Sequence, residues 1–166
     1  TPIDKQLHSF FGVSKAAGDL LAQEYGKNFG MKTTILRGGC LTGSDHAGVK
    51  AHGFLSYLVK SLKLKKKYQL IGYEGKQVRD NIDCRDLASA FFHIFKSPTY
   101  GEVFNIGGGI YSNCSILEAI NFFEEISNQK VNYEFIKKPR VGDHMWWISD
   151  LRKFKKYYPK WKINYN

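Results

Sequence analysis

The stretch "GKQVRDNIDCRDLASAF", residues 75–91, changes from one hydrophobic pattern to another partway along its length. Its segment "QVRDNI" (77–82) predicts a strand. The residues that follow, "CRDLASAFFHIFK" (84–96), place apolar side chains at helical spacing, and Ser97-Pro98 predicts the end of that helix because the residue before a proline disfavours helical backbone. A strand that leads directly into an amphipathic helix indicates α/β construction.

The rest of the chain repeats this alternation of strand and helix patterns. Helices are predicted over 14–29, 54–63, 84–96, from the Ser115–Glu118 capping box to about 127, and over 149–158. Strands are predicted over 32–37, 68–72, 77–82, 102–109 and 131–136. We therefore expect a single α/β domain without internal repeats.

Length and composition restrict the class of protein. The 166 residues are 43% hydrophobic, which is enough for one packed core. The sequence begins with Thr1 rather than Met and closes without an evident capped element, so we expect an internal piece of a longer protein. No apolar run approaches the roughly 20 residues that cross a bilayer, and no secretory signal opens the chain, which favours the cytoplasm and no membrane partner. Cys40, Cys84 and Cys114 are odd in number and far apart, which indicates free thiols rather than disulfides or a metal site.

The net charge of +10 favours an anionic partner. The densest basic run, "KSLKLKKKY" (60–68), carries its leucines at helical spacing, so a solvated helix face explains it. Nucleic-acid binding is the less favoured alternative, because no recognition motif accompanies the charge. A phosphorylated small molecule is the other candidate.

Two arginines on predicted loops are candidate ligands for such an anion. Arg79 lies between a turn and a helix start, and Arg140 lies in the Pro/Gly-shaped loop "PRVGD" (139–143). Two forked guanidinium groups can clamp a diphosphate. The alternative is that each forms an ordinary surface ion pair, for example with Asp80 or Asp143. The glycines at 107–109 fit no phosphate-loop spacing and predict a structural turn.

The stretch "HSFFGVSKAAGDLL" (8–21) places Phe11 and Lys15 four residues apart, so both are expected on one helix face. His46 and His52 lie in the polar stretch after the 32–37 strand, and their spacing specifies no metal site. No nucleophile arrangement of the Ser-His-Asp or Cys-His type is recognisable.

Five segments, taken in order, resemble the extended short-chain dehydrogenase/reductase family, the NAD-dependent sugar-nucleotide epimerases and dehydratases. The segments are "TPIDKQLHSFFGVSK" (1–15), "ILRGGCLTG" (35–43), "GKQVRDNIDCRDLASAF" (75–91), "GEVFNIGGGIYSNCSILEAI" (101–120) and "RVGDHMWWISDLRKF" (140–154). Within that family, "GKQVRDNI" and "FNIGG" are most similar to enzymes that act on CDP-sugars. The resemblance implies a nucleotide-diphosphate sugar as substrate and NAD as cofactor.

The resemblance places Lys15 at the lysine that binds the nicotinamide ribose and lowers the pKa of a tyrosine one turn earlier. That tyrosine removes the substrate hydroxyl proton while hydride leaves the same carbon. Here Phe11 occupies the tyrosine position. Either another base has taken over, or hydride transfer is slow, or the protein is a catalytically silent sugar-nucleotide-binding protein. The competing interpretation is that Phe11 is a core aromatic and Lys15 a helix-surface cation.

The resemblance also assigns binding residues. Arg79 and Arg140 match the ligands of the nucleotide diphosphate, and Asp143 belongs to the same substrate-binding loop. Cys40 stands where many members carry an asparagine that touches substrate, beside the cofactor. Gly38 and Gly39 would let the backbone approach the nicotinamide.

The family's Gly-rich dinucleotide fingerprint has no counterpart in this sequence. We therefore expect the C-terminal portion of an extended Rossmann-type fold: the edge of the parallel sheet plus a small α/β substrate-binding lobe. Residues 1–50 would hold remaining Rossmann elements, and 51–166 mainly the substrate lobe with returning Rossmann elements. NAD binding would require the absent N-terminal half, and the complete protein is expected to form a homodimer through helices that include the one carrying Lys15.

Overall fold

The computed structural model describes residues 9–50 and 52–165. Its helices are α1 (Phe10–Phe29), α2 (Phe54–Lys63), α3 (Cys84–Lys96), α4 (Ile116–Ser127) and α5 (Arg152–Tyr157). Its strands are β1 (Thr34–Gly38), β2 (Cys40–Thr42), β3 (Tyr68–Ile71), β4 (Val78–Asp83), β5 (Glu102–Ile106), β6 (Asn113–Ser115), β7 (Tyr133–Ile136) and β8 (Trp146–Trp147). The predicted α/β class is confirmed. Residues 1–8, which open the first family-like segment, lie outside the described residues.

The start of α1 differs from the sequence prediction because a side chain caps the helix. Helix α1 begins at Phe10, four residues before the predicted start, since the Ser9 hydroxyl accepts a hydrogen bond from the Gly12 amide at 3.1 Å. It ends as predicted at Gly30, which adopts the left-handed conformation. The capping box of Ser115 and Glu118 is also confirmed at the start of α4.

The strand predicted over 102–109 is too long. It ends at Ile106, and the glycines that follow form a turn, as their spacing indicated. A side chain at Gly107 would place its Cβ 2.1 Å from the Asp80 carboxylate. These glycines therefore make room for a buried acid.

The strands form three small groups. Strand β1 pairs in parallel with β5, and β3 pairs in parallel with β7. Strand β4 is the hub of the third group, since β2 and β8 pair with it in parallel and β6 pairs with it in antiparallel fashion. The residues of β4 consequently reach both the β2 segment and the loop segments that precede α4 and α5.

The buried hydrophobic side chains of the described residues form two clusters. One joins β4, α3, β5 and α5 to the C-terminal segment through Ile82, Ala90, Phe104, Ile106, Leu151, Phe154, Tyr158 and Trp161. The other joins α2, β3 and α4 through Leu58, Tyr68, Leu70, Ile116, Ala119, Ile120 and Val131. Each cluster buries the apolar face of helices against strands, which is the dominant favourable contribution to folding. The division into Rossmann elements over 1–50 and a mainly substrate-binding part over 51–166 stays a prediction.

Helix α1 leaves several large apolar side chains in solvent, among them Phe10, Leu20, Leu21 and Phe29. None of the helices within the described residues has both the length and the apolar character that a membrane crossing needs. The lysine-rich run after residue 60 is exposed at the end of α2, whose inner face buries Leu58 and Ser61. A solvated helix end accounts for that run.

Candidate active site

A cavity of about 310 Å³ lies between β2, the 46–54 segment, β3, β4 and the 140–143 loop. Its walls include four of the residues singled out from the sequence as substrate ligands, and Gly39 in addition: Gly39, Cys40, Arg79, Arg140 and Asp143. The two arginines are far apart in the sequence, yet they line the same cavity. A cavity with two guanidinium groups in its wall is suited to an anion.

Arg79 is fixed by its strand. In the register of β4 it lies opposite Cys114 of β6 on one side and Trp147 of β8 on the other. The next residue, Asp80, is fully buried, and its Oδ2 accepts hydrogen bonds from the amides of Gly109 and Ser149, both at 3.0 Å. These contacts anchor β4 to two loops, so the backbone that carries Arg79 is held on several sides.

The guanidinium of Arg79 is partly buried and paired. Its Nη2 donates to Asp143 Oδ1 at 2.5 Å, and its Nη1 donates to the Val78 carbonyl at 2.8 Å. The Arg79 and Asp143 side chains are 16% and 20% exposed, so the ion pair is largely buried but still accessible to solvent. An arginine has five N–H donors, so these two bonds leave donors for a ligand.

Arg140 is exposed and ties its loop to the turn opposite. Its Nη2 donates to the backbone carbonyl of Lys50 at 2.9 Å. Among the described residues, no carboxylate forms an ion pair with Arg140, and Lys50 adds a further positive charge to the cavity wall. This end of the cavity therefore has a surplus of positive charge, of the kind that favours a diphosphate.

Cys40 contributes a neutral thiol. Burial raises the pKa of Cys40 to about 11, and the nearby Arg79 guanidinium opposes that rise only in part. At neutral pH the thiol is protonated, so it can offer a weak donor or a small apolar surface but not a thiolate nucleophile.

Aromatic and amide groups form the rest of the wall, and the sequence did not single them out. The rings of Tyr57 and Tyr68 lie 5.7 Å apart, and burial raises the pKa of Tyr68 to about 12. Gln77 donates from Nε2 to the Ile71 carbonyl at 3.0 Å, whereas its buried Oε1 has no partner within the described residues. Flat rings beside a free amide oxygen are suited to a planar base with exocyclic donors.

Phe11 and Lys15 do not line this cavity. Phe11 is 62% exposed, so its interpretation as a core aromatic is wrong. Lys15 is exposed on α1, and its Nζ lies 5.4 Å from the centre of the Phe11 ring. Phe11 also contacts His52, with ring centres 6.3 Å apart and the planes nearly perpendicular. Since His52 belongs to the cavity wall, Phe11 and Lys15 lie just outside the cavity's edge.

Gly38 and Gly39, the two glycines predicted to lie at the nicotinamide, differ in how tightly they are packed. A Cβ at Gly39 would lie 2.3 Å from Asp80 Oδ1, so the packing against Asp80 alone requires glycine there. A Cβ at Gly38 would meet Leu41 at 3.5 Å, an ordinary contact, so packing does not explain that residue. Gly38 is also exposed and outside the cavity wall.

Sequence reasoning missed the tyrosines because aromatic residues at these positions look like core residues. The two histidines noted in the sequence, His46 and His52, both lie in the cavity wall. His46 is half-buried, and its Nδ1 has no hydrogen-bond partner within the described residues. Over residues 9–50 and 52–165, no group of three or more His, Cys, Asp or Glu side chains could hold a metal ion.

The chain is similar in sequence to known proteins. The model of the NAD dependent epimerase/dehydratase family matches residues 1–107. The chain is 30% identical over 154 residues to CDP-paratose 2-epimerase of Salmonella typhi, an alignment that covers 88% of this chain and 45% of that protein.

Solved structures are also similar to this chain. UDP-glucuronic acid 4-epimerase from Bacillus cereus, in complex with UDP-glucuronic acid and NAD, is similar with a TM-score of 0.78 and 27% identity over 94% of this chain and 48% of that one. A tyrosine-to-phenylalanine variant of that enzyme, in complex with UDP-4-deoxy-4-fluoro-glucuronic acid and NAD, gives a TM-score of 0.80 and 25% identity over 100% of this chain and 52% of that one.

The chain belongs to the NAD dependent epimerase/dehydratase family. It spans about half the length of the relatives it matches.

Proposed function

We propose that this chain forms the nucleotide-sugar-binding part of an NAD-dependent epimerase or dehydratase. The observation that supports it is the shared cavity of Arg79 and Arg140. A nucleotide-diphosphate sugar carries its negative charge at the centre of the molecule, so two guanidinium groups in one wall bind its diphosphate while the base and the sugar extend to either side.

The remaining wall residues take the two ends of that ligand. Asp143 and Cys40 contact substrate near the diphosphate, and the Tyr57–Tyr68 pair with Gln77 receives the base. A CDP-sugar is the substrate we favour, because the alignment with CDP-paratose 2-epimerase extends over 154 residues at 30% identity.

NAD would supply the hydride acceptor for oxidation of a sugar carbon. Lys15 fits the nicotinamide ribose, since its side chain is exposed and its ammonium lies 5.4 Å from the centre of the Phe11 ring. In this proposal Gly38 and Cys40 lie beside the nicotinamide ring of NAD. The packing against Asp80, and not the cofactor, accounts for the glycine at position 39. The sequence holds no Gly-rich pyrophosphate loop, so NAD binding requires a dinucleotide-binding half that these residues do not contain.

A catalytically silent sugar-nucleotide-binding protein is the second candidate. Phe11 favours it, because a benzyl group cannot accept the hydroxyl proton of a sugar. The same arginine cavity serves both functions, so the difference lies in whether hydride leaves the sugar. In either case the exposed apolar side chains of α1 suit a homodimer of the complete protein.

Isothermal calorimetry with CDP-glucose, UDP-glucose and the bare nucleoside diphosphates tests this proposal. We expect Arg79→Ala and Arg140→Ala each to weaken CDP-glucose binding about tenfold to a hundredfold, the value of a charge-assisted hydrogen bond. Arg152→Ala is the matched control, because Arg152 is exposed on α5 and pairs with Asp150 outside the cavity. Absence of binding by every nucleotide, together with steeply salt-dependent DNA binding, would instead support the nucleic-acid alternative.

A further inference from the structure

The position that the family assigns to the proton-accepting tyrosine is inert in this chain, and the structure shows which titratable group stands beside it. Phe11 is flanked by Lys15 on its own helix and by His52 from the 46–54 segment. Of these two groups, an ammonium has no lone pair to accept a proton, whereas an imidazole is the side chain most often used as a general base.

His52 also lines the substrate cavity, in a segment whose backbone is held in place. Its amide and carbonyl exchange hydrogen bonds with those of Val49, both at 2.9 Å, which closes a tight turn. The same turn presents the Lys50 carbonyl to Arg140. The turn therefore connects an arginine of the diphosphate site with an imidazole at the cavity edge nearest Phe11.

The imidazole of His52 is free to act. It is exposed, and within residues 9–50 and 52–165 it makes no hydrogen bond through its side chain. His46 lines the same cavity, but it packs against Gly53 and has no ring contact with Phe11 in the described part of the chain. Asp45 lies outside the wall and bonds to Ser44.

From this juxtaposition we infer that His52 is the catalytic residue that accepts the hydroxyl proton of the sugar, in place of the missing phenol. This inference rests on the proposed function. When bound, NAD⁺ would supply the hydride acceptor: the sugar C–H bond would break with its electron pair leaving as hydride, while the O–H proton would pass to an imidazole nitrogen of His52. The product is a ketone, and the reverse transfers, with hydride delivered to the opposite face, give the epimer.

The first test measures where His52 lies relative to the sugar, without any turnover. Histidine C2–hydrogen exchange, read by mass spectrometry, is followed in the presence of saturating CDP or CDP-glucose. We expect CDP-glucose to slow exchange at His52 several-fold more than CDP does, because only CDP-glucose fills the sugar end. His93 on α3, whose ring is bonded to the Ser89 carbonyl, is the internal control and should be unaffected by either nucleotide.

The second test measures hydride transfer in the complete protein and its variants, by the absorbance of NADH in a single turnover. We expect His52→Gln to slow the step about 100-fold, the usual contribution of a general base. His93→Gln is the matched control. The double variant His52→Gln/Phe11→Tyr should recover most of the rate, since it places a phenol one turn from Lys15.

Distinct outcomes separate the two proposals. If CDP-glucose binds but leaves His52 exchange at the rate seen with CDP, the role of His52 is overturned while the sugar-nucleotide site stands. Full turnover by His52→Gln, or its loss in His46→Gln alone, overturns that role as well. If neither nucleotide binds, the proposed function fails, and the assignment of His52 fails with it.

Discussion

The Arg79 guanidinium and the Asp143 carboxylate form an ion pair inside the cavity wall, with Nη2 and Oδ1 at 2.5 Å. The interpretation of Arg79 as an ion-pair partner and its interpretation as a cavity residue are therefore compatible. Asp143 neutralises the guanidinium in the free protein and holds it in place, and its second oxygen stays available for a polar group of a ligand.

Replacement of Asp143 by Asn should change the affinities for two ligands by different amounts. Inorganic pyrophosphate should bind about fivefold more tightly, because a partly exposed ion pair worth about 1 kcal/mol no longer competes for Arg79. CDP-glucose should gain less or bind more weakly, because the carboxylate that we propose as its contact is lost. Calorimetry with both ligands gives the ratio, with Asp150→Asn as a control on an exposed pair. Equal changes for the two ligands would argue against a substrate contact at Asp143.

Gly39→Ala should destabilise the fold whether or not a cofactor binds. The new Cβ would lie 2.3 Å from Oδ1 of Asp80, a fully buried carboxylate held by two backbone amides, so a rigid network must shift. We expect a loss of about 1 to 3 kcal/mol in the free energy of unfolding, measured in urea. Gly38→Ala is the matched control, with its nearest contact at 3.5 Å. Equal stabilities of the two variants would refute this account of Gly39.

Because of the Cys40 thiol, we expect the free energy of unfolding to fall at alkaline pH. Burial raises its pKa from 9.0 to about 11, so the fold favours the protonated form. The contribution is intact below pH 9 and is lost as pH rises towards 11, because the unfolded chain ionises first. Cys40→Ser removes this titration, so the variant should lose less stability than the parent over that window, by on the order of 2 kcal/mol. Cys84→Ser, at an exposed thiol, should keep the slope of the parent.

Phe11→Tyr should separate the enzyme from the silent binding protein. In the native protein loaded with NAD, a silent parent should gain NADH formation by about 100-fold or more, because the new phenol stands one turn from Lys15. A parent that already turns over substrate should change little. The urea midpoint serves as the control, since Phe11 is 62% exposed and the added hydroxyl meets solvent.

The 166-residue chain by itself should bind NAD weakly and turn over no nucleotide sugar. Its sequence has no Gly-rich loop at a helix N-terminus to receive the pyrophosphate. Calorimetry should show no saturation at micromolar NAD, whereas CDP-glucose binds in the same preparation. Micromolar NAD affinity would show that these residues hold a dinucleotide site of their own.

Local chemistry made much of the fold predictable. The Ser115–Glu118 box, the stop at Gly30 and the helix before Ser97-Pro98 depend on neighbours within one or two turns, so the sequence shows them directly. Strands β2, β6 and β8 were missed because each is only two or three residues long and exists through its pairing with β4.

By itself, the sequence determined the α/β class and the family, since both are written in local patterns and ordered motifs, and it predicts Phe11 at the position of the family's tyrosine. Only the tertiary structure decided that Arg79 and Arg140 share one cavity, that Gly39 makes room for Asp80, and that His52 lies against Phe11. These relations join segments distant in the chain. They depend on the pairing of β4 with its partner strands and on the packing of the 46–54 segment near α1, and no local pattern encodes either contact.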